Sequence, residues 1–184
     1  MTFPVCRKTT SGSELCIRDA MQLLLPDVQI QIRRATLALC LTLAWAPVNE
    51  FTLTTASRRA DIMALCQDDS FACIEIKSGP RDFLSDLKWP EYRVWCDRLY
   101  FAVSEDFPLS LLPDDVGIIV AAVGNLSSGI IGECAIVREA TETRLAPARR
   151  RTLTRNFART AALRLSGLED PAITASLRAT LRAD

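Results

Sequence analysis

The sequence predicts an α/β fold: a mixed sheet with an αβββαβ order, flanked by helices and extended by a hairpin and C-terminal helices. Three observations predict it. Residues Asp27 to Ala44 become apolar nearly all round towards their end, as a helix packed on a sheet does. Arg59 to Cys66 and Phe71 to Lys77 are short, almost continuously apolar runs on either side of the polar turn Gln67-Asp68-Asp69-Ser70, which reads as an antiparallel hairpin of buried strands. Arg98 to Val103 follows a helical stretch, so strand, helix and strand make a right-handed crossover with parallel strands.

Taken in order, Met1 to Asp19 mixes Thr, Ser, Gly, Pro and charges without periodicity, and reads as a flexible arm over 1–19 ahead of a single domain over 20–184. Ala20 to Leu25 begins a helix that Pro26 interrupts, and the main first helix follows with Ile30, Arg34, Leu37 and Leu41. Trp45 to Thr54 is the first strand, carrying Glu50, and Thr55-Ala56-Ser57 turns the chain into the second. After Ser78-Gly79-Pro80 a helix is expected from Arg81 to about Trp95, with Asp82 near its positive end and a kink or break at Pro90. Phe83, Leu87, Val94 and Tyr92 or Trp95 are expected to face the sheet. Val116 to Val123 and Gly129 to Val137 form a second hairpin across Gly124-Asn125-Leu126-Ser127-Ser128. A helix from Ala148 to Leu165 follows, with an apolar ridge of Leu153, Phe157, Ala161 and Leu165, then a last amphipathic helix from Pro171 to Arg182.

Ionised groups interrupt the two central strands. With a period of two, Phe71, Cys73, Glu75 and Lys77 share one face of their strand, so Glu75 and Lys77 point the same way. A turn centred between Asp68 and Asp69 sets Asp61 against Ile76; a one-residue shift or bulge sets it opposite Glu75, with Cβ atoms about 4.5–5.5 Å apart. Burying two carboxylates and an ammonium costs several kcal/mol per ion unless each is paired or binds a metal. Asp61 and Glu75 with a backbone carbonyl, that of Ile76, offer hard oxygen ligands to magnesium or manganese, and Lys77 is placed to orient water and stabilise charge on a phosphate. The chemistry this arrangement suits is metal-assisted hydrolysis of a phosphodiester.

Asp61 with Glu75-Ile76-Lys77 resembles the PD-(D/E)XK nuclease motif, with Ala60 where its Pro would stand. The stretches RRADIMAL, IEIKS, DFLSDLKWPEYRVWCDRLYFAV and LAPARRRTLTRNFAR are similar to the MmcB family of bacterial DNA-repair proteins, over roughly Val48 to Leu165. The resemblance implies a restriction-endonuclease-like fold and a DNA repair function, with DNA as partner and a repair protein as a further one. Lys88 and Tyr92, at i and i+4 of the expected helix, resemble the Gln-x-x-x-Tyr element that lies beside the active site in some nucleases of the superfamily, and join Asp61, Glu75 and Lys77 as catalytic candidates. The contrasting function is the same fold holding DNA or a repair partner with its carboxylates idle.

Composition excludes more than it assigns. The chain of 184 residues has 22 acidic and 22 basic residues, so no global field marks a nucleic-acid partner. It has seven cysteines without a C-x-x-C pair and no histidine, which excludes His-type zinc enzymes and Ser-His-Asp or Cys-His catalysis and predicts reduced thiols in the cytoplasm. Arg33-Arg34 and the apolar run after it imitate a signal peptide, but the run starts too far from Met1 and is too short to span a bilayer, so no membrane is expected. From Ala148 to Leu165 six arginines occur with no Asp or Glu; Arg151, Arg155 and Arg159 form a ridge at i+4 spacing beside Arg149 and Arg150, a pattern that binds phosphates.

Overall fold

The structure is a computed structural model that describes residues 28–53, 58–123, 132–170 and 172. The expected arm over 1–19, the short helix from Ala20, the turns at 54–57 and 124–131 and the final helix beyond Ala172 lie outside the described residues.

The elements follow one another as α1 (Val28–Thr42), β1 (Ala46–Leu53), β2 (Arg58–Leu65), β3 (Phe71–Lys77), α2 (Pro80–Ser85), a 3-10 helix η1 (Trp89–Trp95), β4 (Arg98–Ser104), a short 3-10 turn η2 (Leu109–Leu111), β5 (Gly117–Ala121), β6 (Cys134–Arg138) and α3 (Pro147–Glu169). The strands form one six-stranded sheet in sequence order. β1, β2 and β3 run antiparallel, β3 to β4 and β4 to β5 are parallel, and β6 returns antiparallel. This is the expected mixed α/β sheet. All seven residues of β3 are buried, as a central strand covered on both faces must be.

One face packs on α1 through Ile62, Ala64, Ile74, Ile76, Tyr100 and Ala102. The other packs under α2, η1 and α3 through Met63, Phe71, Cys73, Phe101 and Val103. Gly117 stands opposite Tyr100, where any Cβ would collide with the tyrosine ring.

Local periodicity did not fix the buried face in three places. In α1 the buried residues are Ile32, Ala35, Thr36 and Cys40, while Ile30 and Leu41 are exposed. A helix apolar nearly all round does not specify by pattern alone which face turns inward. In α3, Leu153 and Phe157 are buried and Phe157 meets Phe71 edge-on at 5.5 Å, but Leu165 is exposed, so the ridge ends at Ala161.

The third concerns the expected helix from Arg81 to Trp95, whose expected break lies upstream of Pro90. It is two pieces, with the break at Asp86 to Lys88. A proline ring collides with the carbonyl four residues back, and four back from Pro90 is Asp86, where the α-helix stops. Phe83 and Tyr92 reach the sheet, whereas Leu87 and Val94 are exposed.

A fully buried carboxylate joins the opposite end of the sheet. Asp97 accepts hydrogen bonds from the Phe71 amide at 2.8 Å, the Leu145 amide at 2.9 Å and Arg150 at 2.5 Å, so β3, the approach to α3 and α3 itself close on one side chain.

Candidate functional site

The β2–β3 ladder pairs Leu65 with Phe71 through to Ile62 with Ile74. Continued one step, this register sets Asp61 opposite Glu75, the shifted of the two expected alignments. At that step side chains replace the ladder. The Asp61 amide donates to Glu75 Oε1 at 3.3 Å, and the Ile76 amide donates to Asp61 Oδ2 at 2.8 Å. The in–out alternation also slips here: Ala60 and Met63 lie on one side of the sheet, as do Val48 and Phe51 on β1. Such irregularities re-aim side chains at the edge of regular pairing.

The two carboxylates are therefore adjacent and largely dry. Glu75 is 4% exposed. Burial, reinforced by the Asp61 charge and offset in part by Lys77, pushes its carboxyl from the ordinary 4.5 up to about 8. Burial likewise raises Asp61, against the Ile76 amide and the Arg33 guanidinium, which lower it. Lys77, also buried, ends with Nζ 2.5 Å from Asp86 Oδ2. Partial burial works against Asp86, yet Lys77 and the amides of Lys88 and Trp89 hold its pKa below the usual carboxylate value. Asp86 sits at the break that Pro90 imposes, so the interruption of the helix delivers the counterion of Lys77.

The donor set fits a hard cation. In a strand the N–H and C=O of one residue face the same neighbour. The Ile76 amide meets Asp61, so its carbonyl opens towards the same gap. Among the described residues no third His, Cys, Asp or Glu completes a metal cluster with these side chains. Two carboxylates and a carbonyl, with waters filling the remaining positions, suit magnesium or manganese.

Lys88 and Tyr92 do not form the expected helical pair. Lys88 caps a 3-10 helix, whose three residues per turn do not superpose i and i+4, and its side chain is exposed. Tyr92 is buried and its hydroxyl donates to the Arg59 carbonyl at 3.1 Å. Burial and then the charge of Glu75 raise its pKa, and its hydroxyl ties η1 to β2. Glu91 adds a second tie, receiving both Nε and a terminal nitrogen of Arg58 at 2.8 and 2.9 Å.

The arginines divide by task. Arg149 donates to the Val94 carbonyl and lies over the Trp95 ring, and Arg150 is bound to Asp97 and to the Asp69 carbonyl. Both are engaged within the fold. Arg151, Arg155 and Arg159 are exposed, and Arg155 stands about 160° around the helix from Phe157. Glu50 is half-buried and pairs with Arg33 at 2.8 Å and Arg59 at 2.6 Å. Sequence reasoning missed Asp86 and Arg33 as neighbours of the site. The spacing of Asp82 and Asp86 was the available signal for the first, and nothing local marks the second.

A polar cavity of about 490 Å³ is lined by Asp68, Asp69, Ser70, Glu142, Arg144, Leu145 and Arg150. It lies at the Phe71 end of β3, away from Glu75 and Lys77, so its size does not make it the site. No helix among the described residues is long and apolar enough to cross a membrane.

The model of the MmcB-like DNA repair protein family matches residues 18–172. A solved structure of a protein of unknown function from Silicibacter pomeroyi is 36% identical, with a TM-score of 0.70, covering 79% of this chain and 94% of that one. No curated protein matches the chain.

Proposed function

The chain belongs to the MmcB-like family of DNA repair proteins, and from that premise we propose that it is a PD-(D/E)XK-type nuclease that hydrolyses DNA phosphodiesters with magnesium or manganese. The observation that carries the proposal is the Asp61–Glu75 pair, where two carboxylates interrupt a backbone ladder in a buried setting with Lys77 on the same face. Repulsion between two such charges is large in a dry site, and a fold gains nothing structural from it.

Asp61, Glu75 and the Ile76 carbonyl would hold the ion. When bound, the ion supplies a more acidic attacking water and neutralises charge on the phosphate. The chain's own residues do the rest. Lys77, buried along its stem, presents an ammonium on the Glu75 face, where it orients the attacking water and stabilises the phosphate as negative charge grows. Asp86 holds that ammonium in place. Tyr92 and Glu91 tie η1 to β2, which keeps β2 from drifting off β3 where their ladder ends.

One observation favours the idle-fold alternative, in which the chain binds DNA or a repair partner without cleaving. Lys77 is already neutralised by Asp86 at 2.5 Å. The experiment is a cleavage assay with magnesium or manganese over a panel of single-stranded, duplex, gapped and flapped DNA, comparing wild type with Asp61→Ala, Glu75→Ala and Lys77→Ala. Loss of cleavage by about 100-fold or more in each variant is expected, because all three position the reacting groups. Undiminished cleavage by Glu75→Ala rejects the assignment, and DNA binding without cleavage of any substrate selects the idle fold.

A further inference from the structure

Glu50 stands next to the carboxylate pair in a backbone conformation that non-glycine residues rarely adopt, with φ at 47°. The β1–β2 register, Asn49 with Ile62 and Phe51 with Ala60, sets it across from Asp61. Strained backbone of this kind persists only where the surroundings over-determine it. Here Arg164, from the far end of α3, donates to the carbonyls of Asn49 and Glu50 and fastens the strained segment. The Glu50 carboxylate in turn takes Arg33 from α1 and Arg59 from β2. Arg33 also lies 3.9 Å from Asp61 Oδ1.

Three guanidiniums from three elements thus gather around the Glu50 side chain and backbone, beside Asp61. The Arg59 side chain is 66% exposed and pairs with Glu50 through Nε. Among the described residues its two terminal nitrogens donate no hydrogen bond. A guanidinium anchored at Nε with its fork turned to solvent matches the two-oxygen edge of a phosphate.

We infer that the Arg33–Glu50–Arg59 cluster, braced by Arg164, binds a backbone phosphate of DNA next to the one held at Asp61, Glu75 and Lys77, with Arg59 making the contact. This rests on the reading of the chain as a DNA-acting protein. It places a phosphate site at the kink of β1 beside β2, separate from the outward ridge of Arg151, Arg155 and Arg159 on α3.

The test is fluorescence anisotropy of labelled duplex and single-stranded DNA with the full chain in EDTA, over a sodium chloride series. The proteins are wild type, Arg59→Gln and Arg59→Lys, with melting curves for each. Arg59→Gln is expected to melt as wild type, to bind more weakly, and to flatten the slope of log affinity against log salt by about 0.9 on duplex or about 0.7 on single strands. Arg59→Lys should keep the slope while losing affinity, because the charge stays and the fork is lost. If wild type binds with a salt-dependent slope that Arg59→Gln leaves unchanged, this inference is overturned and the DNA reading stands. If wild type binds neither DNA, the DNA reading fails and takes the inference with it.

Discussion

Glu75 is an acid in a strand with no exposed residue, and its protonation is where the energetics of the site can be read. Its folded pKa, near 8, lies above the ordinary 4.5. Between those values the unfolded chain has released a proton that folded Glu75 keeps, so stability falls as pH rises through the window and the full penalty is present above pH 8. Asp61 is displaced in the same direction and adds to the slope. A tenfold difference in proton affinity between the folded and unfolded chain is worth about 1.4 kcal/mol. The metal-free protein should therefore melt higher near pH 5 than near pH 8 as far as this pair contributes. Glu75→Gln, which cannot ionise, should flatten that dependence and melt above wild type at the alkaline end. Melting of both proteins in EDTA across the window measures it, and parallel curves would mean that Glu75 is ionised throughout.

At the scale of elements, the α2–η1 joint does the most for the site. Pro90 ends α2 at Asp86, and the broken helix turns Asp86 towards Lys77, while η1 carries Glu91 and Tyr92 to β2. The joint thus holds both strands that bear the carboxylates. Removing one partner of a buried pair leaves the other charge without compensation, at about 3–5 kcal/mol when both are fully buried. The Asp86 side chain is 22% exposed against 6% for Lys77, so Asp86→Asn should cost less, about 2 kcal/mol. Adding Lys77→Met to that variant should restore most of the stability, since no unpaired charge remains, yet any DNA cleavage should stay lost. Urea unfolding of the two single variants and the double completes the cycle; equal and additive losses would show that the pair is not coupled. In α3, by contrast, Leu153 and Phe157 hold the helix to the sheet while Arg151, Arg155 and Arg159 stay exposed.

For the molecule as a whole, formal charge is balanced, so attraction to nucleic acid depends on where charges are gathered rather than on how many there are. The arginines around Glu50 and along α3 are gathered, whereas Glu75 is buried at the carboxylate site. On the metal-site proposal, a cation at that site would bind the folded state alone and stabilise it. At 100 times its dissociation constant it adds about 2.7 kcal/mol, which for a domain of this size raises the melting temperature by about 5–10 °C. Asp61→Asn should fold, should be no less stable than wild type without metal, and should lose most of the increase with magnesium or manganese. Melting with each ion at fixed ionic strength decides it: an equal rise in both proteins would remove Asp61 from the ligand set.

What the sequence by itself determined is what local rules govern. The period of two in Phe71 to Lys77 put Glu75 and Lys77 on one face, and the polar turn before it brought Asp61 to within one residue of its partner, because strand alternation and turn chemistry act over two to four residues. The break near Pro90 was legible for the same reason, though its position, four residues upstream at Asp86, needed the helix's own geometry. Tertiary structure alone decided the final register, the inward face of α1, the capture of Lys77 by Asp86, and the division of the arginines into those bound inside the fold and those left outside. Arg150 and Arg151 are neighbours in a run of three, and Asp97, 53 positions away, with the Asp69 carbonyl makes the first structural. Arg164 meets the carbonyl of Asn49 across 115 positions. Which partner an ion finds is set by packing that assembles distant segments, and no pattern within a helical turn or a strand repeat carries that information.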